Sequence, residues 1–170
     1  MSSYRSGVTQ MKKMLLCLDQ WLETGTSYAK SKAFDPKVLL DSRLAPDMYP
    51  LVRQVQMACD TAKFTAARLS GKEVPKHPDT ETTMEQIRAR IRSCVDTLDA
   101  FQEADFKAAE TRRVELSFLP GKYSVGDDYL VEMGVPNFYF HVCMAYAILR
   151  HNGVALGKKD FIGGMTLHDI

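Results

Sequence analysis

The last long apolar stretch of the sequence carries an asparagine and a histidine, Asn137 and His141, four residues apart. In a helix this spacing places both side chains on one face, one turn apart. An imidazole and a carboxamide can contact a ligand or a metal ion. Inside a bundle each also needs a hydrogen-bond partner, because an unsatisfied buried polar group costs about 1–3 kcal/mol. The pair therefore either lines a ligand or metal pocket or fixes the register of a packed helix.

Candidate partners for this pair lie on the second predicted helix, where Gln54, Gln56 and Asp60 flank the apolar stripe. Sites in helical bundles are built from side chains on facing helices, so we expect these three residues to form a ligand-binding site with Asn137 and His141. Periodicity does not say which of them reaches the imidazole. We predict no cofactor, because one histidine with one asparagine lacks the three ligands of a typical metal site. A divalent metal, if one binds, would take His141 and Asp60.

The remaining chemistry-bearing residues form no catalytic motif. The sequence has no Gly-rich phosphate loop, no G-x-S-x-G turn and no H-E-x-x-H pair, which leaves open whether the protein is an enzyme. The cysteines lie tens of residues apart without a C-x-x-C pair, and the N-terminus does not resemble a signal peptide. We therefore expect reduced thiols and a cytoplasmic location. The cysteines are Cys17, Cys59, Cys94 and Cys143.

The charge balance argues against several classes of partner. The 170 residues include 22 Lys+Arg against 21 Asp+Glu, a formal net charge of +1, so we expect neither nucleic acid nor a membrane surface as a partner. Arg88, Arg90 and Arg92 have acidic neighbours along the chain, and we expect them on a solvated, ion-paired face. Polar residues interrupt the most apolar stretch, which argues against a membrane span.

Apolar residues at intervals of three and four predict four long helices. Helix one covers residues 4–22, with a continuation to residue 33 left open, helix two residues 50–71, helix three residues 84–101 and helix four residues 126–152. Pro136 predicts a kink or a brief break in helix four, because proline lacks the backbone N–H that a helix interior uses.

Shorter elements complete the predicted fold. A short helix follows Asp35-Pro36. Alternating apolar and polar residues over 113–125, with Pro120-Gly121 at the turn, predict a small β-hairpin before helix four. The C-terminal tail, about residues 154–170, lacks helical periodicity, and we expect it to be extended. Together the elements predict one domain over residues 1–170, an all-α, up-down four-helix bundle with minor β structure.

Helix four differs from its partners because apolar residues occupy almost every side of it. A helix without a polar face has no solvent face, so it is either central to the bundle or shared with another chain. In a bundle of only four helices the second option predicts a symmetric homodimer.

Several segments together resemble a known family. They are Leu44-Ala-Pro-Asp-Met-Tyr-Pro-Leu-Val-Arg-Gln-Val-Gln-Met-Ala-Cys-Asp60, Pro136-Asn-Phe-Tyr-Phe-His141, Leu149-Arg-His-Asn-Gly153 and Gly157-Lys-Lys-Asp-Phe-Ile-Gly163. Over nearly its whole length the chain resembles the bacterial and fungal family called domain of unknown function 1993. That family is similar to the DinB-like, or YfiT-like, four-helix bundles, many of which are dimers and are considered metal- and thiol-dependent transferases.

The resemblance implies a metal site that takes one histidine from the second helix and an H-x-x-x-H pair from the last helix. In this sequence the pair corresponds to Asn137 and His141, and helix two has no histidine. The resemblance therefore implies a DinB-like scaffold whose metal site is degenerate and retains a polar pocket. We expect a dimeric small-molecule-binding or structural protein. The alternative is a metal-dependent, thiol-type transferase that uses His141 with a carboxylate ligand such as Asp60.

Overall fold

Four long helices dominate the fold in the computed structural model, which describes residues 3–169. In chain order the elements are α1 (Ser3–Ser31), α2 (Lys37–Asp41), α3 (Leu51–Ser70), α4 (Met84–Asp99), a 3-10 turn (Glu103–Phe106), β1 (Arg113–Glu115), β2 (Tyr123–Val125), α5 (Gly126–Tyr129), a π-helical turn (Leu130–Gly134), α6 (Val135–His151) and α7 (Lys158–Ile162). Helices α1, α3, α4 and α6 pack against one another. The predicted all-α four-helix bundle is therefore confirmed. The ends of the predicted 1–170 domain, residues 1, 2 and 170, lie outside the described range.

The apolar stripes of the long helices meet in one core. Leu18, Val55, Ile91 and Phe138, one from each helix, are fully buried. Burying a side chain of this size contributes roughly 1.5–3 kcal/mol relative to leaving it in water. Helix α3 packs against α1, α4 and α6, so its side chains face three neighbours. Several polar residues of α3, among them Gln54, Thr61 and Thr65, are consequently buried.

The segment between α3 and α4 is fixed at both of its ends. Helix α3 ends at Gly71, whose positive φ of 76° suits the left-handed residue that closes a helix. Helix α4 begins with a capping box, in which Thr83 Oγ1 accepts from the Gln86 backbone nitrogen and Gln86 Oε1 accepts from that of Thr83, both at 3.2 Å. The intervening residues are therefore held against the two helices.

The predicted helix four is one continuous rod over residues 126–151, and its winding changes near the N-terminal end. The π-helical turn of residues 130–134 precedes Pro136, so the break expected at this proline is a wider turn of the same rod. Gly134 lies so close to α3 that an added Cβ would be 3.2 Å from the Thr65 side chain. The small residue lets the rod approach α3 closely. None of the helices within residues 3–169 combines the length and apolarity needed to cross a membrane.

The hairpin and the tail complete the molecule. Strands β1 and β2 pair antiparallel with Val114 opposite Ser124, so the predicted hairpin is confirmed. The tail is not extended throughout, contrary to expectation, because residues 158–162 form α7. The carboxylate of Asp160 accepts from the Gly157 backbone nitrogen at 2.7 Å and so caps this short helix. Trp21 of α1 donates to the Asp160 carbonyl at 3.1 Å and stacks on Phe161, which ties the tail to the bundle.

Candidate functional site

His141 lies on α6 and is buried, with 5% of its surface exposed. Its Nδ1 is 2.8 Å from Oε1 of Gln54 on α3, and the side-chain nitrogen of Gln54 donates to the Tyr49 carbonyl at 3.2 Å. A carbonyl oxygen only accepts, so this arrangement assigns the imidazole proton to Nδ1. Burial, assisted by the charge of Arg53, lowers the pKa of His141 and favours the neutral ring. Among the three candidates on α3, Gln54 is the residue that reaches the imidazole.

Asn137, one turn before His141, also contacts α3. Its Nδ2 donates to Thr61 Oγ1 at 2.7 Å, and that hydroxyl donates to the Met57 carbonyl at 2.7 Å. Asn137 and His141 therefore both lie on the face of α6 that meets α3, as their spacing predicts. Asn137 is half-buried, whereas His141 is buried. Solvent or a ligand can reach the carboxamide more easily than the imidazole.

Gln56 and Asp60 have partners other than His141. The Gln56 side chain donates to Glu81 at 2.8 Å, and Asp60 Oδ1 lies 2.9 Å from Nη2 of Arg90 and 3.2 Å from Nζ of Lys63. These contacts belong to a set of charged residues between α3, α4 and the segment joining them, here called the α3–α4 charge network. Its members are Asp60, Lys63, Asp79, Glu81 and Arg90.

The two cations of this network are deeply buried. The side chains of Lys63 and Arg90 are 0% and 1% exposed. Lys63 donates to the Pro75 carbonyl at 3.0 Å and lies 2.6 Å from His77 Nδ1. The solvated position predicted for Arg90 is therefore wrong, although its pairing with acidic neighbours is confirmed. The segment between α3 and α4 folds over the guanidinium, which helical periodicity alone does not reveal.

A cavity of about 210 Å³ opens beside Asn137. It lies between α3, the β-hairpin and the helical segment of residues 126–151. We call it the α3–α6 cavity. Asn137 and Asp60 line it, whereas His141, Gln54 and Gln56 do not. A larger depression of about 510 Å³ between α1 and α7 contains no predicted site residue. The α3–α6 cavity is lined by Met57, Asp60, Thr61, Phe64, Arg68, Phe118, Tyr129, Met133, Gly134 and Asn137.

Arg68 is the cation of this cavity, and sequence reasoning missed it. Its guanidinium lies 5.7 Å from the centre of the Phe64 ring and 5.6 Å from that of Tyr129, and Nη1 donates to Tyr129 Oη at 2.9 Å. Within residues 3–169 no carboxylate lies within 4.0 Å of it. The i, i+4 spacing of Phe64 and Arg68 was the available signal, but many exposed helices carry such a pair.

The residues present do not fit a metal site of three imidazoles. Only His141 supplies an imidazole at the α3–α6 interface, and its Nδ1 is bound to Gln54. The Asn137 carboxamide is a weaker ligand for the divalent metals that imidazole sites favour, and it is bound to Thr61. Across the described residues, no three or more His, Cys, Asp or Glu side chains are grouped so that they could hold a metal ion. The set expected for a metal, His141 with Asp60, is divided between two hydrogen-bonded clusters.

The four cysteines form no disulfide, and the pKa of three of them is raised. Cys59 and Cys94 are fully buried between α3 and α4, and the Cys94 thiol donates to the Cys59 carbonyl at 3.3 Å. The neighbouring thiol and burial raise the pKa of Cys59 well above its ordinary value. Burial also raises the pKa of Cys17 and of Cys143. A nucleophilic thiol needs the opposite shift, so these three side chains fit packing roles.

The fold and the site together define a class of protein. A crystal structure of a DinB family member protein from Shewanella denitrificans matches this chain with a TM-score of 0.95 and 46% sequence identity, covering 98% of this chain and 95% of that chain. The molecule is thus a DinB-like helical bundle. The family model for the domain of unknown function DUF1993 matches residues 3–162, and the chain belongs to that family, which confirms the resemblance. No curated protein matches the chain.

Proposed function

We propose that this DinB-like protein binds a small molecule in the α3–α6 cavity and that its metal site is degenerate. The observation that carries the proposal is the composition of the cavity wall. Four residues bring polar groups to the cavity, and methionine and aromatic side chains form most of the remaining wall; the four are Asp60, Thr61, Arg68 and Asn137. A mainly apolar cavity with a few convergent polar groups is typical of small-molecule sites.

The pairing of His141 supports a degenerate metal site. A metal-dependent transferase would need His141 and Asp60 on one ion, but His141 is bound to Gln54 while Asp60 lies between Lys63 and Arg90. Recruiting Asp60 to a metal would leave two buried cations without this carboxylate, which is costly in a low-dielectric interior. The geometry therefore favours a structural role for the imidazole.

Binding can be tested by titrating the full-length, isotope-labelled chain with a set of neutral, cationic and anionic fragments and following its NMR signals. We expect the signals of Thr61 and Asn137 to shift. Met133→Trp, which adds bulk to the cavity wall, should abolish the shifts, and Leu16→Trp on the exposed face of α1 serves as the matched control. Fragments that leave the cavity signals unmoved, whatever their charge, would contradict the proposal.

Metal use can be tested by elemental analysis of protein purified without a histidine tag. We expect no stoichiometric zinc, nickel, iron or manganese and no rise in melting temperature when these metals are added, because a ligand that binds the folded state raises that temperature. A stoichiometric metal that His141→Ala removes would overturn the degenerate metal site and favour the transferase alternative.

We also propose that the protein is a homodimer and that it works in the cytoplasm. Val131 and Phe140, both in the continuous rod of residues 126–151, are 63% and 52% exposed, and a second copy of the chain would cover apolar surface there. Four unpaired cysteines fit a reducing compartment.

Mass in solution tests the dimer. Wild-type protein should have twice the mass of the chain at micromolar concentration, and Phe140→Ser should shift it towards the monomer. Val38→Ser, at a residue of α2 that is 54% exposed, should leave the mass unchanged. A wild-type monomer would remove the basis of this proposal.

A further inference from the structure

The charges around the α3–α6 cavity are unequally compensated. Two charged side chains line it, Asp60 and Arg68. Asp60 has Lys63 and Arg90 within 3.2 Å, so its negative charge is neutralised from within the protein. Arg68 has no carboxylate within ion-pair distance in the described part of the chain. Arg68 is therefore the charged group of this wall that has no opposite charge within ion-pair distance in the described residues, which leaves it available to an anion.

Arg68 is held in a defined position although it lacks an ionic partner. Its guanidinium carbon lies 5.7 Å and 5.6 Å from the ring centres of Phe64 and Tyr129, and one N–H donates to Tyr129 Oη. A guanidinium has five N–H donors in one plane, so several remain for a ligand. The hydrogen bond and the neighbouring rings restrict the side chain before a ligand arrives, which reduces the entropy lost on binding. This planar set of donors matches the two oxygens of a carboxylate.

The rest of the wall limits the size and polarity of the ligand. The volume of about 210 Å³ is below the usual range for drug-sized ligands. Met57, Phe118 and Met133 supply apolar surface, and the Asn137 carboxamide and Thr61 hydroxyl lie on the same wall. A ligand that fills this space has one anionic end and a compact apolar or aromatic body.

We propose that the α3–α6 cavity binds a small monocarboxylate with an apolar or aromatic body and that Arg68 pairs with the carboxylate. This assignment rests on the proposed binding function and specifies its ligand class. Arg68 would be a binding residue, and Tyr129 a positioning residue that acts through Arg68.

The test uses benzoate as the probe, with benzamide as a neutral molecule of the same shape, in NMR or calorimetric titrations of the full chain. We expect benzoate to bind about tenfold or more tightly than benzamide, because a hydrogen bond to a charged group is stronger than one between neutral groups. Arg68→Gln should remove this preference, and Arg68→Lys should restore it only in part. Tyr129→Phe should reduce benzoate affinity by a smaller factor. Arg92→Gln, at an exposed arginine, should leave the affinity unchanged.

The other results of these titrations separate the carboxylate assignment from the proposed binding function. Equal affinity for benzoate and benzamide at the cavity would overturn the anion assignment and leave small-molecule binding intact. Tighter binding of inorganic phosphate at Arg68 would replace the carboxylate by another anion. If neither probe binds while other fragments shift the cavity signals, the carboxylate assignment fails alone. If no fragment binds, the proposed function fails as well. Circular dichroism of Arg68→Gln separates loss of binding from loss of folding.

Discussion

The two polar regions that α3 contacts differ in how completely their charges are paired. In the α3–α4 charge network, Arg90 lies within 3.1 Å of Asp60, Asp79 and Glu81. At the α3–α6 cavity, Arg68 contacts rings and a hydroxyl but no carboxylate in the described residues. Both regions hold buried polar groups, so burial alone does not mark a functional site. In the α3–α4 charge network the protein itself pairs Arg90 with carboxylates. At the α3–α6 cavity Arg68 has no such pair and remains available to a ligand.

The largest loss in the free energy of unfolding should come from removing the central cation of the α3–α4 charge network. Arg90→Met leaves the carboxylates of the α3–α4 charge network without their shared cation, and removing one partner of a buried ion pair costs about 3–5 kcal/mol. Arg92→Met, whose side chain is 52% exposed, should change the free energy of unfolding by about 0.5 kcal/mol or less. Denaturant unfolding measures both. Similar losses for the two variants would show that the network is not a structural unit.

A smaller loss should follow from His141→Leu, because it leaves the Gln54 carbonyl oxygen buried without its partner. We expect a loss of about 1–3 kcal/mol in the free energy of unfolding. The double variant His141→Leu with Gln54→Leu removes both polar groups and should recover part of that loss. If the two single losses simply add, the 2.8 Å contact does not couple these residues.

Arg68→Gln should affect stability less, by about 1 kcal/mol or less, because the guanidinium has no ionic partner in the described residues to leave unpaired. Its main consequence should be the loss of carboxylate binding. Thermal and denaturant unfolding of the ligand-free variant provide the check. A loss of unfolding free energy as large as that of Arg90→Met would mean that Arg68 has a structural role. The two regions would then not differ in the way described above.

The smallest effect concerns pH. Burial, followed by the charges of Lys63 and Arg90, lowers the pKa of His77, while Asp60 and Glu81 act in the opposite direction. The pKa of His141 is lowered as well. The unfolded chain therefore takes up protons on these rings more readily, so stability is full above the ordinary histidine pKa of about 6.5 and falls as pH decreases through that value.

Unfolding free energies at about pH 7.5 and 5.5 measure this loss. The separate variants His77→Gln and His141→Gln should each lose less unfolding free energy between these two pH values than the wild-type chain does. The two differences from the wild type then compare the histidine beside Lys63 with the histidine beside Gln54. Stability that increases on acidification over this interval would contradict both assignments.

Part of this site could be predicted from the sequence, because the common face of Asn137 and His141 depends only on their spacing in a helix. The choice of Gln54 as the partner depends on the register between α3 and α6, which is a tertiary property. Arg90 was misplaced because a segment outside the helix covers it. Arg68 is not predicted from the sequence, because its significance lies in having no carboxylate partner among the described residues, which only packing reveals.

The most direct test of the central claim follows the side-chain amide signals of Asn137 and Gln54 by NMR, first with zinc and then with the fragment set. We predict that fragments shift the Asn137 amide signal, that the signal of the Gln54 amide beside His141 stays in place, and that zinc shifts neither. Zinc moving both amides together would establish a metal centre at the α3–α6 interface, and fragments that leave Asn137 unmoved would refute the ligand cavity.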